Sequence, residues 1–190
     1  QRRRPPPATR NKNRSIAPPV TMVSAPRRKG ARTRGTGMRV GNGSTVTLTH
    51  REYIGRVVGT EVFTVTSYPL SAGDNGTFPW LASIAKRFEK FHLNQMTFQY
   101  IPGCSADTQG QLMGMIEYDP ADAPPGFDSD VLGSQDSFSN PPWTASQMSV
   151  DTKRAHAGRQ WMFTTAKSTD VSDLPQSYAG TLHLATQGMA

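Results

Sequence analysis

Two aspartates stand close together at the end of an apolar run, and prolines follow them. Asp119 and Asp122 come after the segment GQLMGMIEY, and Pro120, Pro124 and Pro125 stiffen the backbone around them. Neighbouring carboxylates repel each other, so such a pair needs a cation or a proton. Calcium prefers oxygen ligands and takes about six to eight of them. Two aspartates therefore provide only part of a calcium site, and the other ligands must be backbone carbonyls, water or groups of another subunit.

Two other interpretations of this pair stay open from the residues alone. Paired carboxylates carry out glycoside hydrolysis, although such pairs usually come from distant segments that flank a cleft. The chain also lacks the aromatic platform that a sugar site would need. The second alternative is structural, because Asp-Pro and Asp-Ala-Pro are ordinary turn sequences.

The other reactive side chains form no recognisable catalytic set. No GxSxG or HExxH motif occurs, and the histidines at positions 50, 92, 156 and 183 are scattered. Cys104 is the single cysteine, which excludes a disulfide within the chain and a cysteine-rich metal site. The glycine-rich segment 35–43 follows no predicted strand and opens no helix, so it predicts no phosphate-binding loop. We therefore expect no enzyme and no small-molecule substrate.

Short alternating segments predict an all-β body that positions the aspartates. Glycine, proline, asparagine and aspartate cluster between these segments, as is typical of a sandwich or barrel. The seven candidate strands are STVTLTH, EVFTVTSY, LNQMTFQYIP, GQLMGMIEY, SQMSVD, RQWMFTTA and GTLHLAT. Residues 79–91 instead have Leu81, Ile84 and Phe88 at helical spacing behind Pro79, and predict a helix of about three turns. A second short helix or turn is expected near SDVLGSQD.

The net charge of +7 is unevenly distributed along the chain. The first 51 residues contain 13 of the 21 lysines and arginines and none of the 14 acidic residues. This distribution predicts a basic arm, residues 1–43, on a mildly acidic body, residues 44–190. Such an arm binds polyphosphate by releasing counterions, and without any aromatic residue it has nothing on which bases stack. The predicted nucleic-acid-binding residues are Arg2, Arg3, Arg4, Arg10, Lys12, Arg14, Arg27, Arg28, Lys29, Arg32 and Arg34, with a solvated tail or a localisation signal as the alternative.

Within the arm, residues 15–26 are uncharged and mildly apolar. Pro18, Pro19 and Pro26 favour an extended backbone that is able to pair with another chain. No stretch of the chain is apolar enough to span a membrane, and the arm has no apolar face for a membrane surface. We therefore expect no membrane partner.

Residues 78–125 resemble the shell domain of small icosahedral plant RNA virus coat proteins. The resemblance rests on a Pro-Trp-Leu helix that ends in an aromatic residue and on a strand that reaches Tyr-x-Pro. A Gly-led strand follows and ends in Tyr-Asp-x-Ala-Asp-x-x-Pro. The pattern is most similar to sobemoviruses, with tombusvirus-like coats, including the necroviruses, next. The motifs cover about 50 residues, while the strand pattern and the basic arm extend the match over the whole chain.

This resemblance implies a fold, a function and a set of partners. The fold is an eight-stranded jelly-roll sandwich, made of two facing four-stranded sheets. The function is that of a structural capsid protein, which forms an icosahedral T=3 shell, packages single-stranded viral RNA and assembles into virions in the host cytoplasm. The family binds Ca²⁺ at subunit interfaces through the positions of Asp119 and Asp122, with further ligands from the neighbouring subunit. The segment with Pro18, Pro19 and Pro26 resembles the part of the arm that pairs with symmetry mates in a ring.

The seven candidate strands correspond to the first seven of that jelly roll. The eighth is expected after GTLHLATQGMA, so we hypothesise that the natural protein continues by a few tens of residues. Two rival interpretations are a host RNA-binding β-barrel protein with a basic tail and a carbohydrate-active enzyme that uses the carboxylate pair. The rivals differ from a coat protein in that neither would assemble into a shell.

Overall fold

The computed structural model describes residues 37–40, 45–164 and 171–189. The chain divides into two compact units, of which the first ends at His50 and the second begins at Arg51. In the first unit, strand β1 (Gly37–Val40) pairs antiparallel with β2 (Val46–Thr49). Strand β2 confirms the strand predicted in STVTLTH, whereas β1 was not predicted. The hairpin crosses the boundary expected between residues 43 and 44, and the division into an arm and a body stays a prediction.

The second unit contains eight strands, three short α-helices and one 3₁₀ helix within its described residues. Its elements are, in order, β3 (Thr64–Pro69), α1 (Pro79–Ala85), β4 (Lys90–Phe91), β5 (Thr97–Tyr100), β6 (Gln111–Glu117), α2 (Asp128–Leu132), β7 (Ser137–Asn140), β8 (Ser146–Ser149), α3 (Thr152–His156), β9 (Met162–Phe163), the 3₁₀ helix (Val171–Gln176) and β10 (Thr181–Gln187). No helix in the described ranges is long and apolar enough to cross a membrane.

The main sheet is antiparallel and has the strand order β3-β10-β6-β7. Its two central strands, β10 and β6, pair Leu182 with Ile116 and Ala185 with Met113. Residues 112–116 are all buried, which confirms the covered strand that the sequence predicted. Both faces of the sheet are needed for this burial, because successive side chains point to opposite sides.

One core lies on each face of the main sheet. On one face, Ile116 and Leu182 belong to the same apolar cluster as Met148 on β8 and Met162 on β9. On the other face, Met113 packs with residues that include Val131 of α2. The candidate site described below lies at the end of β6. The loop that carries it is therefore attached to a strand that is buried between two cores.

The second layer consists of two short antiparallel ribbons, β5 with β8 and β4 with β9. The expectation of two four-stranded sheets is therefore met for one sheet only. Among the described strands, β5 pairs with β8 alone. The eighth strand expected beyond residue 190 stays a prediction.

Helix α1 begins at Pro79 as predicted, but it is shorter than its apolar spacing indicated. Both carboxylate oxygens of Glu52 accept hydrogen bonds from the backbone N–H groups of the first turn, those of Trp80 and Leu81. The helix ends at Ala85, and Phe88 N–H already bonds to the Ala85 carbonyl in a tighter turn. The chain then enters β4, so the predicted helix through residue 91 was wrong because strand pairing with β9 replaces its last turn.

Most of the remaining predicted elements are present in the structure, and three short elements were not predicted. Each of the seven candidate segments contains a strand, although RQWMFTTA forms only the two residues of β9. The short helix expected near SDVLGSQD is α2. Strands β4 and β7 and helix α3 were not predicted.

Candidate metal half-site

Strand β6 brings the chain to Asp119. The strand ends at Glu117, where the backbone leaves the two cores, and Asp119 and Asp122 are both exposed in the loop that follows. The change from a fully buried strand to an exposed loop within two residues presents the carboxylates to solvent on a rigid base. The structure thus places both predicted metal ligands on one surface loop.

A tight turn holds the two aspartates together. The Asp122 N–H donates to the Asp119 carbonyl at 3.2 Å, which closes a four-residue turn. The Asp119 Oδ1 accepts from the Ala121 N–H at 2.9 Å, an Asx turn that orients this carboxylate. Pro120 restricts the backbone between them. The prolines and the turn therefore leave the Asp119 side chain with one oxygen committed to the backbone and one that the described hydrogen bonds do not use.

Sequence reasoning missed a third carboxylate in this loop. The Glu117 Oε1 accepts from the Asp119 N–H at 3.1 Å, so the glutamate side chain folds over the start of the turn. Glu117 stands two residues before Asp119, and two residues is the repeat of side chains on one face of a strand. This two-residue spacing is the sequence signal from which Glu117 could have been identified as a neighbour of Asp119.

Tyr118, between these two acids, is fixed by three residues: Asp151, Arg154 and Asp136. Its hydroxyl accepts from the Asp151 N–H at 2.9 Å, and its ring lies 4.2 Å below the guanidinium carbon of Arg154. Arg154 also forms an ion pair with Asp136 at 2.9 Å. Burial, together with a hydrogen bond to Asp136, raises the pKa of Tyr118 to about 12. The residue immediately before Asp119 is thus clamped to α3 and to the segment before β7.

This loop offers oxygen ligands that suit a hard cation, but too few of them to complete the coordination of the metal. Its donors are carboxylate and carbonyl oxygens, which suit Ca²⁺. Within the described residues no group of three or more histidine, cysteine, aspartate or glutamate side chains is arranged to hold a metal. In the same part of the chain the one ion pair is Arg154 with Asp136, so no lysine or arginine there neutralises Asp119 or Asp122 at ion-pair distance. The calcium role of Asp119 and Asp122 therefore stays a prediction, and the described residues of one chain do not complete a ligand set.

The arm residues cannot be compared with the structure. All eleven predicted RNA-binding residues and the three prolines of the arm lie outside the described residues. They are Arg2, Arg3, Arg4, Arg10, Lys12, Arg14, Arg27, Arg28, Lys29, Arg32, Arg34, Pro18, Pro19 and Pro26. Their roles stay predictions.

Two histidines of the body, His156 and His183, are buried among the described residues. His183, on the central strand β10, is 3% exposed, and its Nδ1 lies 2.8 Å from the Ser67 hydroxyl. His156 is 5% exposed, and its Nε2 accepts from the Leu93 N–H at 3.0 Å. Burial lowers the pKa of both imidazoles. His183 thus has a side-chain partner, whereas the buried Nδ1 of His156 has none among the described residues.

Comparison with protein families matches residues 14–190 to the model of the viral coat protein S domain. The chain belongs to this family. Membership confirms the expectation of a structural coat protein rather than an enzyme. The capsid protein of Oat chlorotic stunt virus (isolate United Kingdom) is 27% identical over 120 residues, which are 60% of this chain and 26% of that protein.

Solved structures show the same fold. Cucumber Necrosis Virus superposes with a TM-score of 0.72 at 22% identity, over 92% of this chain and 53% of that one. Tobacco necrosis virus gives a TM-score of 0.64 at 22% identity, over 72% of this chain and 80% of that one. These virus shells are jelly rolls, which confirms the predicted all-β jelly-roll class. The relatives are of tombusvirus, carmovirus and necrovirus type, the second of the two groups that the sequence motifs resemble.

The match to the curated relatives is partial in length. The chain spans between 24% and 37% of the length of the capsid proteins it matches. The comparisons therefore establish the shell-domain family and its fold, and the activity of the whole protein is a matter for proposal.

Proposed function

We propose that this chain is the structural subunit of an icosahedral virus shell, which packages single-stranded RNA and binds calcium where subunits meet. The observation that carries the proposal is the family match over residues 14–190, together with a fold shared with virus shells. T=3 symmetry, residence in the virion and assembly in the host cytoplasm belong to the same proposal.

We place calcium at the interface between subunits because the loop of one chain supplies too few ligands for the metal. Asp119 and Asp122 are exposed, and hydrogen bonds within the loop close the turn between them. The metal would supply the charge that lets the carboxylates of two subunits approach each other. Without calcium the same carboxylates repel, so the site would also act as a release switch when calcium is low.

Calcium binding by assembled particles and by dissociated subunits tests this assignment. Equilibrium dialysis should show saturable binding by the particle and much weaker binding by the subunit, because one chain lacks most of the ligands. The double variant Asp119→Asn with Asp122→Asn should abolish binding by the particle. Asp107→Asn, which removes an exposed carboxylate on another loop, is the matched control and should bind as the unaltered protein does. Equal affinity in particle and subunit would show that the site is complete in one chain, contrary to the proposal.

RNA is assigned to the arm by charge alone. The eleven basic residues between Arg2 and Arg34 carry no acidic neighbours in the sequence. For single-stranded RNA the logarithm of affinity falls against the logarithm of salt concentration with a slope of about 0.7 per phosphate contacted. If all eleven residues bind phosphate, their loss should reduce the slope by about 8.

A deletion pair separates charge from chain length in this test. Removal of residues 1–34 should lower RNA affinity and flatten its salt dependence. Removal of residues 15–26 alone takes out no charged residue, so the salt slope should stay as it was. This shorter deletion should instead impair assembly if the prolines pair with symmetry mates. An unchanged slope after removal of residues 1–34 would contradict the role of the arm.

A further inference from the structure

The short ribbon of β4 and β9 carries alternating cationic and aromatic side chains along one face. The register pairs Lys90 with Phe163 and Phe91 with Met162, and its continuation by one residue brings His92 opposite Trp161. Because side chains alternate between faces, Phe91 and Met162 point into the core, where Met162 is 1% exposed. The opposite face presents Lys90, His92, Trp161 and Phe163, and Arg159 follows at the same two-residue spacing.

We call these five residues the aromatic strip: Lys90, His92, Arg159, Trp161 and Phe163. All except Phe163 are exposed, and Trp161 keeps 43% of its surface accessible. Trp161 therefore keeps part of its ring surface free for a ligand to cover.

The rings of the strip are held in place from beneath. His92 stacks on the buried His156 with ring centroids 4.0 Å apart and an angle of 17°. The His92 Nδ1 lies 2.6 Å from the Gln160 carbonyl, which fixes the ring orientation. Trp161 meets His92 edge to face at a centroid distance of 5.8 Å. Since these contacts set the ring positions before any ligand arrives, binding would lose little rotamer entropy.

The positive charges of the strip are not neutralised by carboxylates. Within the described ranges the one ion pair is Arg154 with Asp136, so neither Lys90 nor Arg159 has an acidic partner there. The Lys90 ammonium lies 5.2 Å from the centroid of the Phe163 ring. Arg159 donates to the Pro175 carbonyl at 3.0 Å, which anchors the guanidinium next to the strip.

We propose that the aromatic strip binds single-stranded RNA, with bases stacked on Trp161 and phosphates held by Lys90 and Arg159. Interleaved cations and exposed aromatic rings are the combination with which proteins bind single strands without sequence preference. The first 51 positions of the chain, which include the basic arm, contain no aromatic residue, so the arm can hold phosphates but cannot stack bases. The proposal rests on RNA packaging as the proposed function and adds a second contact of a different chemical kind.

Two tryptophans of nearly equal exposure allow a matched test. Trp161 is 43% and Trp143 is 44% exposed, and Trp143 lies outside the strip. In full-length protein, Trp161→Ala should weaken binding of an oligoadenylate by about 5- to 150-fold, the usual value of one stacked base. Trp143→Ala should leave this affinity unchanged. Neither variant should alter the binding of an abasic ribose-phosphate oligomer with the same number of phosphates, because that polymer has nothing to stack.

Photochemical crosslinking provides a readout that requires no substitution. Bromouridine RNA bound to the unaltered chain should crosslink to the tryptic peptide of residues 160–167, QWMFTTAK, which contains Trp161. Crosslinks confined to arm peptides would overturn the strip and leave the arm intact. Equal oligoadenylate affinity for Trp161→Ala and the unaltered protein would also overturn the strip and leave the arm intact.

If Trp161→Ala impairs assembly while RNA affinity is kept, the strip is a contact with a second copy of the chain, which also overturns the proposal. Failure of the unaltered protein to bind any RNA would instead remove the proposed packaging function itself.

Discussion

His156 should make the stability of the subunit sensitive to mild acid. Its imidazole is 5% exposed and stacks on His92 at 4.0 Å, and its Nε2 accepts from the Leu93 N–H. The accepted hydrogen bond requires a lone pair on Nε2, so the ring is neutral in the folded chain. Its Nδ1 has no hydrogen-bond partner among the described residues. A second proton on Nε2 would replace the bond from the Leu93 N–H by a longer one to the Leu93 carbonyl, 3.3 Å away, and would place a charge in the core next to another imidazole.

The sign and the limit of the effect follow from proton linkage. Burial, and then the neighbouring His92, lower the pKa of His156 below its ordinary value of 6.5. The unfolded chain therefore binds more protons than the folded chain below that pH, and the free energy of unfolding falls as the pH drops through 6.5 towards the folded pKa. Between pH 7.5 and 5.5 this one group can remove no more than about 1.4 kcal/mol, which is the cost of keeping it neutral against an unfolded pKa of 6.5.

Urea unfolding of the dissociated subunit at several pH values measures this loss. His156→Gln is the informative variant, because the amide oxygen can still accept from Leu93 and the side chain does not titrate. The variant should lose less stability than the unaltered subunit between pH 7.5 and 5.5, by up to about 1.4 kcal/mol. His50→Gln, which removes an exposed histidine, is the control. The same pH dependence in His156→Gln and the unaltered subunit would refute the assignment of a neutral buried imidazole.

Three substitutions test the packing that supports the half-site, each by urea unfolding of the subunit. Leu182→Ala, on the central strand β10 and 1% exposed, should cost about 2–5 kcal/mol, and a loss under 1 kcal/mol would show that the core is not packed as described. Gly180→Ala should cost about 1–3 kcal/mol, since φ is 128° and an added Cβ would lie 2.3 Å from the Glu117 carbonyl oxygen. Gly103→Ala, which meets no atom within 4 Å, is its control and should stay within about 0.5 kcal/mol. Asp151→Ala removes the N-cap of α3 and should cost about 0.5–2 kcal/mol, whereas no loss would show that the cap is redundant.

The longest strands, β3, β6 and β10, were predictable because six or seven residues are enough to show a period. Strand β6 has apolar residues on both faces, and the structure buries it between two cores. The end of α1 was not predictable, since Phe88 continues the helical spacing while the backbone has already changed to a tighter turn. Pairing between β4 and β9 decides that boundary, and contacts between residues so far apart leave no local signal.

The candidate site divides in the same way. Asp119 and Asp122 were identified from local spacing, and the turn that joins them is local. The clamp on Tyr118 by Arg154 depends on a helix more than thirty residues further along the chain, so the sequence could not show it. The aromatic strip likewise needs the register of two distant two-residue strands.

The central claim is that subunits assemble into a shell held in part by calcium at their contacts. The most direct measurement is the hydrodynamic size of the purified protein near pH 7.5, before EDTA, after EDTA and after calcium is restored. We expect a particle of virus dimensions that swells when the chelator removes calcium and contracts when calcium returns. A particle of constant size would keep the coat function but remove the calcium role of Asp119 and Asp122. A monomer under all three conditions would contradict the account.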